Sequence, residues 1–200
     1  EGIYKMDKKP HFYLHQKIFG SDIFWGIVAI AHVQDYQNNV IKKHENTLKR
    51  REELFGNYLG EVGFNAEPVL LTYKESAVLN GVYNSYKSKR AEYEFTTHTK
   101  RLHKLWLIED STEIKVIENE FKQIGALYIA DGHHRTASSN YLANKLRSEI
   151  KNPTGNECFN YFMCYLIADS NLKISAFNRF VKDLNGHSKE QFLKKIFIII

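Results

Sequence analysis

Five consecutive residues, Asp131-Gly132-His133-His134-Arg135, place a carboxylate, two imidazoles and a guanidinium around one glycine. An apolar run, Ala126-Leu127-Tyr128-Ile129-Ala130, comes before them, and the stretch from Thr136 to Glu149 reads as a helix with Tyr141, Leu142 and Leu146 as its apolar stripe. A strand, a tight turn and a helix start form a natural anion site. The first amides of a helix have no partner inside it, and together they carry about half a positive charge. Gly132 lets the chain turn sharply and lets a ligand approach the backbone. Arg135 offers a forked, charge-assisted grip on two oxygens, or else pairs with a surface carboxylate. His133 and His134 can donate hydrogen bonds or move a proton near neutral pH, and one of them can equally be a packed core histidine. Asp131 reads as a helix cap, as the group that fixes a histidine tautomer, or as a helper to a cation. Ser138 and Ser139, one turn further on, either reach the same pocket or only fill the helix. Gly132, His134, Arg135 and Ser138 are the expected phosphate-binding residues, and Asp131, His133 and His134 the candidates for chemistry.

A second polar cluster is Lys43-His44-Glu45-Asn46-Thr47, followed by Arg50, Arg51 and Glu52. Glu45 is a candidate general base, with His44 or Arg50 holding a substrate carboxylate or phosphate. The competing reading is a solvated helix start capped by Asn46 or Thr47. A third group follows an expected strand: Phe177-Asn178-Arg179, then Lys182-Asp183-Leu184-Asn185-Gly186. Asn178 and Arg179 join the substrate-binding candidates, against the alternative of a loop with Asn-Gly turn chemistry. No structural metal is expected. Adjacent histidines point in different directions, and no nearby Cys or second spaced His completes a closed zinc site. Mg²⁺ arriving with a nucleotide suits the residues better, because it needs only one or two carboxylates plus phosphates.

The rest of the chain must position these groups. It has 200 residues, 43% of them hydrophobic, with 13 Phe, 12 Tyr and only 3 Pro, which is a folding composition and not that of a linker. A net charge of +5 and a pI near 9.0 suit an anionic ligand. The basic runs Lys42-Lys43 and Lys49-Arg50-Arg51 are interrupted by acids, so nucleic acid is not the expected partner. The two cysteines, Cys158 and Cys164, have no metal or disulfide spacing and read as core thiols of a reducing, cytoplasmic compartment. No apolar run approaches the length of a membrane span.

Strands are expected over His11–Ile18, Ile23–Ala31, Pro68–Tyr73, Glu92–His98, Arg101–Glu109, Ala126–Ala130, Phe159–Ala168 and Leu172–Phe177. Gln34 to Asn39 reads as a turn. Helical spacing runs from Ile41 to Leu59, with Leu48, Phe55 and Leu59 on one face. Lys74–Lys89 reads as a short helix and loop. Asp110-Ser111-Thr112-Glu113 has the form of a capping box for a helix reaching about Ile124. Ser188 begins a last helix. Strands and helices mix without strict alternation, which predicts an α+β fold, a mixed sheet with flanking helices. One domain over residues 1–200 is expected, with a division near residue 100 as the alternative. The opening Glu1-Gly2-Ile3-Tyr4-Lys5 and the closing Phe197-Ile198-Ile199-Ile200 both read as interior sequence, so the chain is expected to be a fragment of a longer one.

Four stretches occur in order: Ile41–Thr47, Glu67–Tyr73, Leu127–Arg135 and Phe177-Asn178-Arg179. Together they resemble the bacterial family called domain of unknown function 1015, over about Gly26 to Gln191. Members are roughly twice as long, and the family has no settled activity. The Asp131–Arg135 turn is also similar to the site of the ParB/sulfiredoxin superfamily, where a strand, turn and helix bind nucleotide phosphates. That resemblance implies a ParB/sulfiredoxin-like core around residues 126–149. Sulfiredoxin carries a reactive Cys in the turn, and this chain has none there. The free-serine kinases carry the same Asp-Gly-His-His-Arg and a Glu as base elsewhere; Glu45 is the candidate here, without a motif match. The chromosome-partitioning members carry a helix-turn-helix, which this sequence lacks. The expectation is a phosphoryl-transfer enzyme using ATP or ADP with Mg²⁺ on serine or a related small hydroxyl compound. The alternatives are a non-catalytic nucleotide-binding or regulatory module of ParB-like type, associated with nucleic acid, and a scaffold without a small ligand.

Overall fold

The structure is a computed structural model that describes residues 6–176, 178 and 180–197. The chain runs β1 (Phe12–Phe19), β2 (Asp22–His32), α1 (Val33–Gln37), β3 (Ile41–Lys42), α2 (Lys49–Val62), β4 (Val69–Tyr73), α3 (Ala77–Tyr86), β5 (Tyr93–Thr96), β6 (Leu102–Ile108), α4 (Ser111–Gln123), β7 (Leu127–Asp131), α5 (His133–Glu149), β8 (Tyr161–Ala168) and α6 (Lys189–Phe197). All eight strands join one sheet in the order β3-β7-β4-β8-β2-β1-β6-β5. The pairs β3/β7 and β4/β8 are parallel and the other five are antiparallel. This is the expected α+β mixture of one mixed sheet with flanking helices.

Alternation of side chains makes the core. In β4, Val69, Leu71 and Tyr73 are buried while Leu70 and Thr72 are half-buried, the period of two of a sheet with one packed face. The Tyr73 hydroxyl lies 2.7 Å from that of Tyr83 in α3, and its ring meets Phe121 of α4 edge-on. Leu14, Ile27, Leu71, Ile108 and Ile117 are fully buried in the same cluster. Each such side chain stabilises the fold by about 1.5–3 kcal/mol relative to exposure.

Several boundaries differ from the sequence expectation. Gln34 to Gln37 is helical, because the His32 side chain accepts from the Gln34 amide at 3.0 Å and caps α1. The stretch expected to be helical from Ile41 opens instead as β3. Ile41, only 1% exposed, pairs with Leu127, and burial in the sheet overrides local helical spacing. Helix α2 starts at Lys49 and ends at Val62, capped by Gly63, which takes φ +75°. Its cap is Leu48, not Asn46 or Thr47, and the Thr47 hydroxyl donates to Glu52 instead. Residues 172–176 form no strand, and Phe177 lies outside the described residues. β8 already has β4 on one side and β2 on the other, so no free edge is left for the next segment. The β5–β6 hairpin and the Asp110 cap of α4 are as expected, with Asp110 accepting from the Thr112 and Glu113 amides. No helix among the described residues is long and apolar enough to cross a membrane.

Candidate functional site

The Asp131–Arg135 turn stands at the carboxyl end of β7. Antiparallel pairing with β4 slips there: Leu71 opposes Ile129 but Leu70 opposes Asp131, so Ala130 is the extra residue of a bulge. Bulges bend a strand and re-aim the side chains next to them. Gly132 follows with φ +98°, a conformation that side chains rarely adopt. A Cβ there would also stand 3.2 Å from the Arg135 guanidinium. Helix α5 then begins at His133, three residues before the sequence expectation. No side chain caps it among the described residues, and its first backbone bond within the helix runs from the Thr136 amide to the Gly132 carbonyl at 3.0 Å. The amides of His133, His134 and Arg135 are therefore left for a ligand or water.

The buried face of α5 is small and hydroxylated, not the stripe expected from the sequence. Thr136, Ala137, Ser138, Ser139, Leu142 and Ala143 are buried, and Tyr141 packs over Gly56 of α2. Thr136, Ser138 and Ser139 donate to the carbonyls of Gly132, His134 and Arg135 at 3.2, 2.6 and 3.0 Å. These back-bonds satisfy hydroxyls on a packed helix face. They also commit the Ser138 proton to the helix.

Arg135 is held by the protein on three sides. Its guanidinium donates to Asp131 at 2.5 Å and to the Pro68 carbonyl at 2.5 Å, and stands 3.4 Å from Glu67. Asp131 is thus the partner of Arg135 rather than a helix cap. The His134 Nδ1 is buried and finds no partner among the described residues.

The second cluster arrives at the same place. β3 runs parallel to β7, Ile41 beside Leu127 and Lys42 beside Tyr128, so both strands end at one edge of the sheet. The loop after β3 sets His44 and Glu45 over the start of α5. Glu45 Oε2 lies 3.7 Å from His133 Nδ1, and Glu45 Oε1 lies 3.9 Å from His44 Nε2. The His44 amide faces His133 Nε2 at 3.5 Å, and the two rings meet edge-on with centroids 4.4 Å apart. One ligand atom from each of His44, Glu45 and His133 falls within 4.8 Å of the others. Burial lowers the His133 pKa below the ordinary histidine value; His44 acts in the same sense, while Glu45 and Asp131 oppose it. His133 is 7% exposed and is mainly the neutral imidazole near pH 7.

A cavity of about 580 Å³ opens beside these groups. Glu45 and the segment 131–135 form its polar floor, with Ser138 and Ser139 behind. Its other wall is apolar: Phe55, Tyr58 and Leu59 of α2 and Phe64 of the following loop. The sequence placed Phe55 and Leu59 on one helix face; both line the cavity, and Phe55 is 44% exposed. The sole buried residue of α2 is Gly56, where the helix meets α5. Phe64 and Glu67 were not anticipated. Phe64 had only its position after the helix-ending glycine as a signal, whereas Glu67 opens the Glu67–Tyr73 stretch just ahead of β4. Arg50 is exposed in the first turn of α2 and does not line the cavity. Asn178 is exposed and apart from it, and Arg179 lies outside the described residues.

Two other regions bear on chemistry. Cys164 is buried and its thiol pKa is pushed up to about 12 by that burial, which makes it inert. Cys158 is exposed in a short 3-10 turn at Cys158–Asn160, so it is not the core thiol expected. On the sheet, His15 Nε2 lies 2.9 Å from His103 Nδ1, and Phe95 stacks on the far side of His103.

Fold and site together define a mixed α/β protein with an open helix N-terminus and an acid–imidazole cluster at one sheet edge. The chain belongs to the family described as protein of unknown function (DUF1015), whose model matches residues 1–197. No curated protein and no solved structure matches it significantly.

Proposed function

We propose that this chain is a phosphoryl-transfer enzyme that binds the phosphates of ATP or ADP on the amides of His133, His134 and Arg135. The observation that carries the reading is the uncapped start of α5, opening on a cavity whose floor also holds Glu45 and His133. Anions are favoured at such a terminus by the exposed N–H groups and the helix dipole together. The volume of about 580 Å³ is that of a small-molecule site. Its aromatic wall supplies a surface for a nucleoside. The resemblance of the turn to that of free-serine kinases supports serine, or a similar small hydroxyl compound, as the acceptor.

In this reading the acceptor oxygen attacks the terminal phosphorus. The bond from that phosphorus to the bridging oxygen breaks, and the nucleotide leaves with one phosphate fewer. The hydroxyl proton passes to Glu45, which is 65% exposed and can return it to solvent. Such chemistry is mostly positioning and electrostatics, with Mg²⁺ arriving on the nucleotide. Arg135 acts from its brace between Asp131 and Glu67. Incubation with ATP or ADP and serine, followed by mass detection of phosphoserine, tests the reading directly. Substitution Arg135→Ala should cost about 2–4 kcal/mol of transition-state stabilisation. Unchanged turnover in that variant defeats the proposal.

A second reading is a non-catalytic nucleotide-binding module. One observation favours it: the Arg135 charge already has two carboxylate partners, so an anion gains less from it. That reading predicts nucleotide binding with no turnover and no effect of Glu45→Gln.

A further inference from the structure

We infer that His44, Glu45 and His133 form a binding site for one divalent transition-metal ion, open on the side of the cavity. Two imidazoles and a carboxylate are the donor set of open Zn²⁺ and Fe²⁺ sites, whereas Mg²⁺ takes oxygen ligands. The three groups come from two distant segments that the parallel strands β3 and β7 bring together. One ligand atom from each lies within 4.8 Å of the others; Glu45 Oε2 is 3.7 Å from His133 Nδ1, and the other carboxylate oxygen, Oε1, is 3.9 Å from His44 Nε2. Ligands at 2.0–2.1 Å from a tetrahedral ion stand about 3.4 Å apart. Closure therefore asks for shifts of between a few tenths of an ångström and about 1.4 Å. The two groups that must move, His44 and Glu45, lie on a loop with side chains 61% and 65% exposed, while the His133 ring is buried.

The imidazole of His133 presents Nδ1 to Glu45 and Nε2 to the His44 amide at 3.5 Å. An ion on Nδ1 leaves the ring proton on Nε2. The loop amide then has only to tilt, because 3.5 Å is already the outer limit of a hydrogen bond. Three protein ligands leave at least one coordination position free, the pattern of a catalytic rather than a structural site. Glu45 and His133 both line the cavity, so that position faces it. The ion would stand beside the uncapped amides, where an anionic ligand could meet both. The site itself needs no nucleotide and does not depend on the phosphoryl-transfer reading.

The test uses the full chain without an affinity tag, stripped with chelator and free of nucleotide. Co²⁺ is titrated and read by visible absorption, and Zn²⁺ by calorimetry. The expected result is one ion per chain and the intense bands of a four- or five-coordinate Co²⁺. Affinity should fall at least tenfold in both His44→Ala and Glu45→Gln and be lost in His133→Ala. His44 is exposed, so His44→Ala should melt as the metal-free parent does, which guards against misfolding as the cause. Unchanged affinity in His44→Ala and Glu45→Gln overturns the inference, and so does equal affinity for Mg²⁺. A failure to bind nucleotide would leave these metal results untouched.

Discussion

Glu45 Oε2 stands 3.7 Å from His133 Nδ1, although one residue lies on the loop after β3 and the other opens α5. The parallel pairing of β3 with β7 is what joins them. Ligands of open α/β sheets gather at the carboxyl ends of strands, and both residues follow such ends. If Glu45 takes a proton during turnover, Glu45→Gln should lower kcat by about 10²–10⁴. In the chain stripped of transition metal, nucleotide affinity should stay within about threefold, since the amides that hold the phosphates are untouched. Steady-state kinetics beside calorimetric binding separates the two effects. An equal fall in affinity would assign Glu45 to binding instead.

Gly132 combines a φ of +98° with an Arg135 guanidinium 3.2 Å from where a Cβ would sit. Gly132→Ala should therefore destabilise the fold by about 1–3 kcal/mol, measured by denaturant melts. It should also weaken phosphate binding, because the amides behind it are displaced.

Gly56 fixes how closely α2 approaches α5. A Cβ on it would fall 2.5 Å from the Tyr141 ring and 3.1 Å from the Ser138 carbonyl. Gly56→Ala should cost about 1–3 kcal/mol through overpacking. Adding Tyr141→Leu should recover part of that loss, so the pair is non-additive in a double-mutant cycle. Simple additivity would show that the ring is not the obstacle.

His15 makes stability fall in acid. Burial, then His103 and Lys17, take its pKa from 6.5 down to about 4. Between those values the unfolded chain binds a proton that the folded chain does not, so stability is lost as pH drops through that window. The loss is about 1–2 kcal/mol once solvent screening of this incompletely buried ring is allowed for. His103 is shifted the same way. Melting curves of His15→Gln should decline less steeply from pH 6.5 to 4 than those of the parent.

The turn Asp131–Arg135 was legible from residue types alone, since few physical settings call for two imidazoles and an arginine after a glycine at a strand end. The Asp110 cap, the β5–β6 hairpin and the strand ending at Asp131 were legible for the same local reasons. The meeting of His44 and Glu45 with His133 was not, because His44 and His133 stand 89 positions apart and meet only through the pairing of β3, two residues long, with β7. Helical spacing after Ile41 hid that strand. The cavity wall was hidden for a related reason: Phe55 and Leu59 share one helix face whether that face meets a core or a cavity. The pinning of Arg135 by Glu67 and the Pro68 carbonyl is also tertiary, and no local pattern announces it.

The chemistry proposed for the cavity rests on the His133, His134 and Arg135 amides acting as donors to an anion. Two-dimensional amide NMR of the chain during titration with ADP reads those donors directly. Saturable downfield shifts of these three amides are expected, largest for His134 and Arg135, with small changes on the β5–β6 hairpin. A titration in which ADP binds while these amides stay in place, or in which nothing saturates, would contradict it.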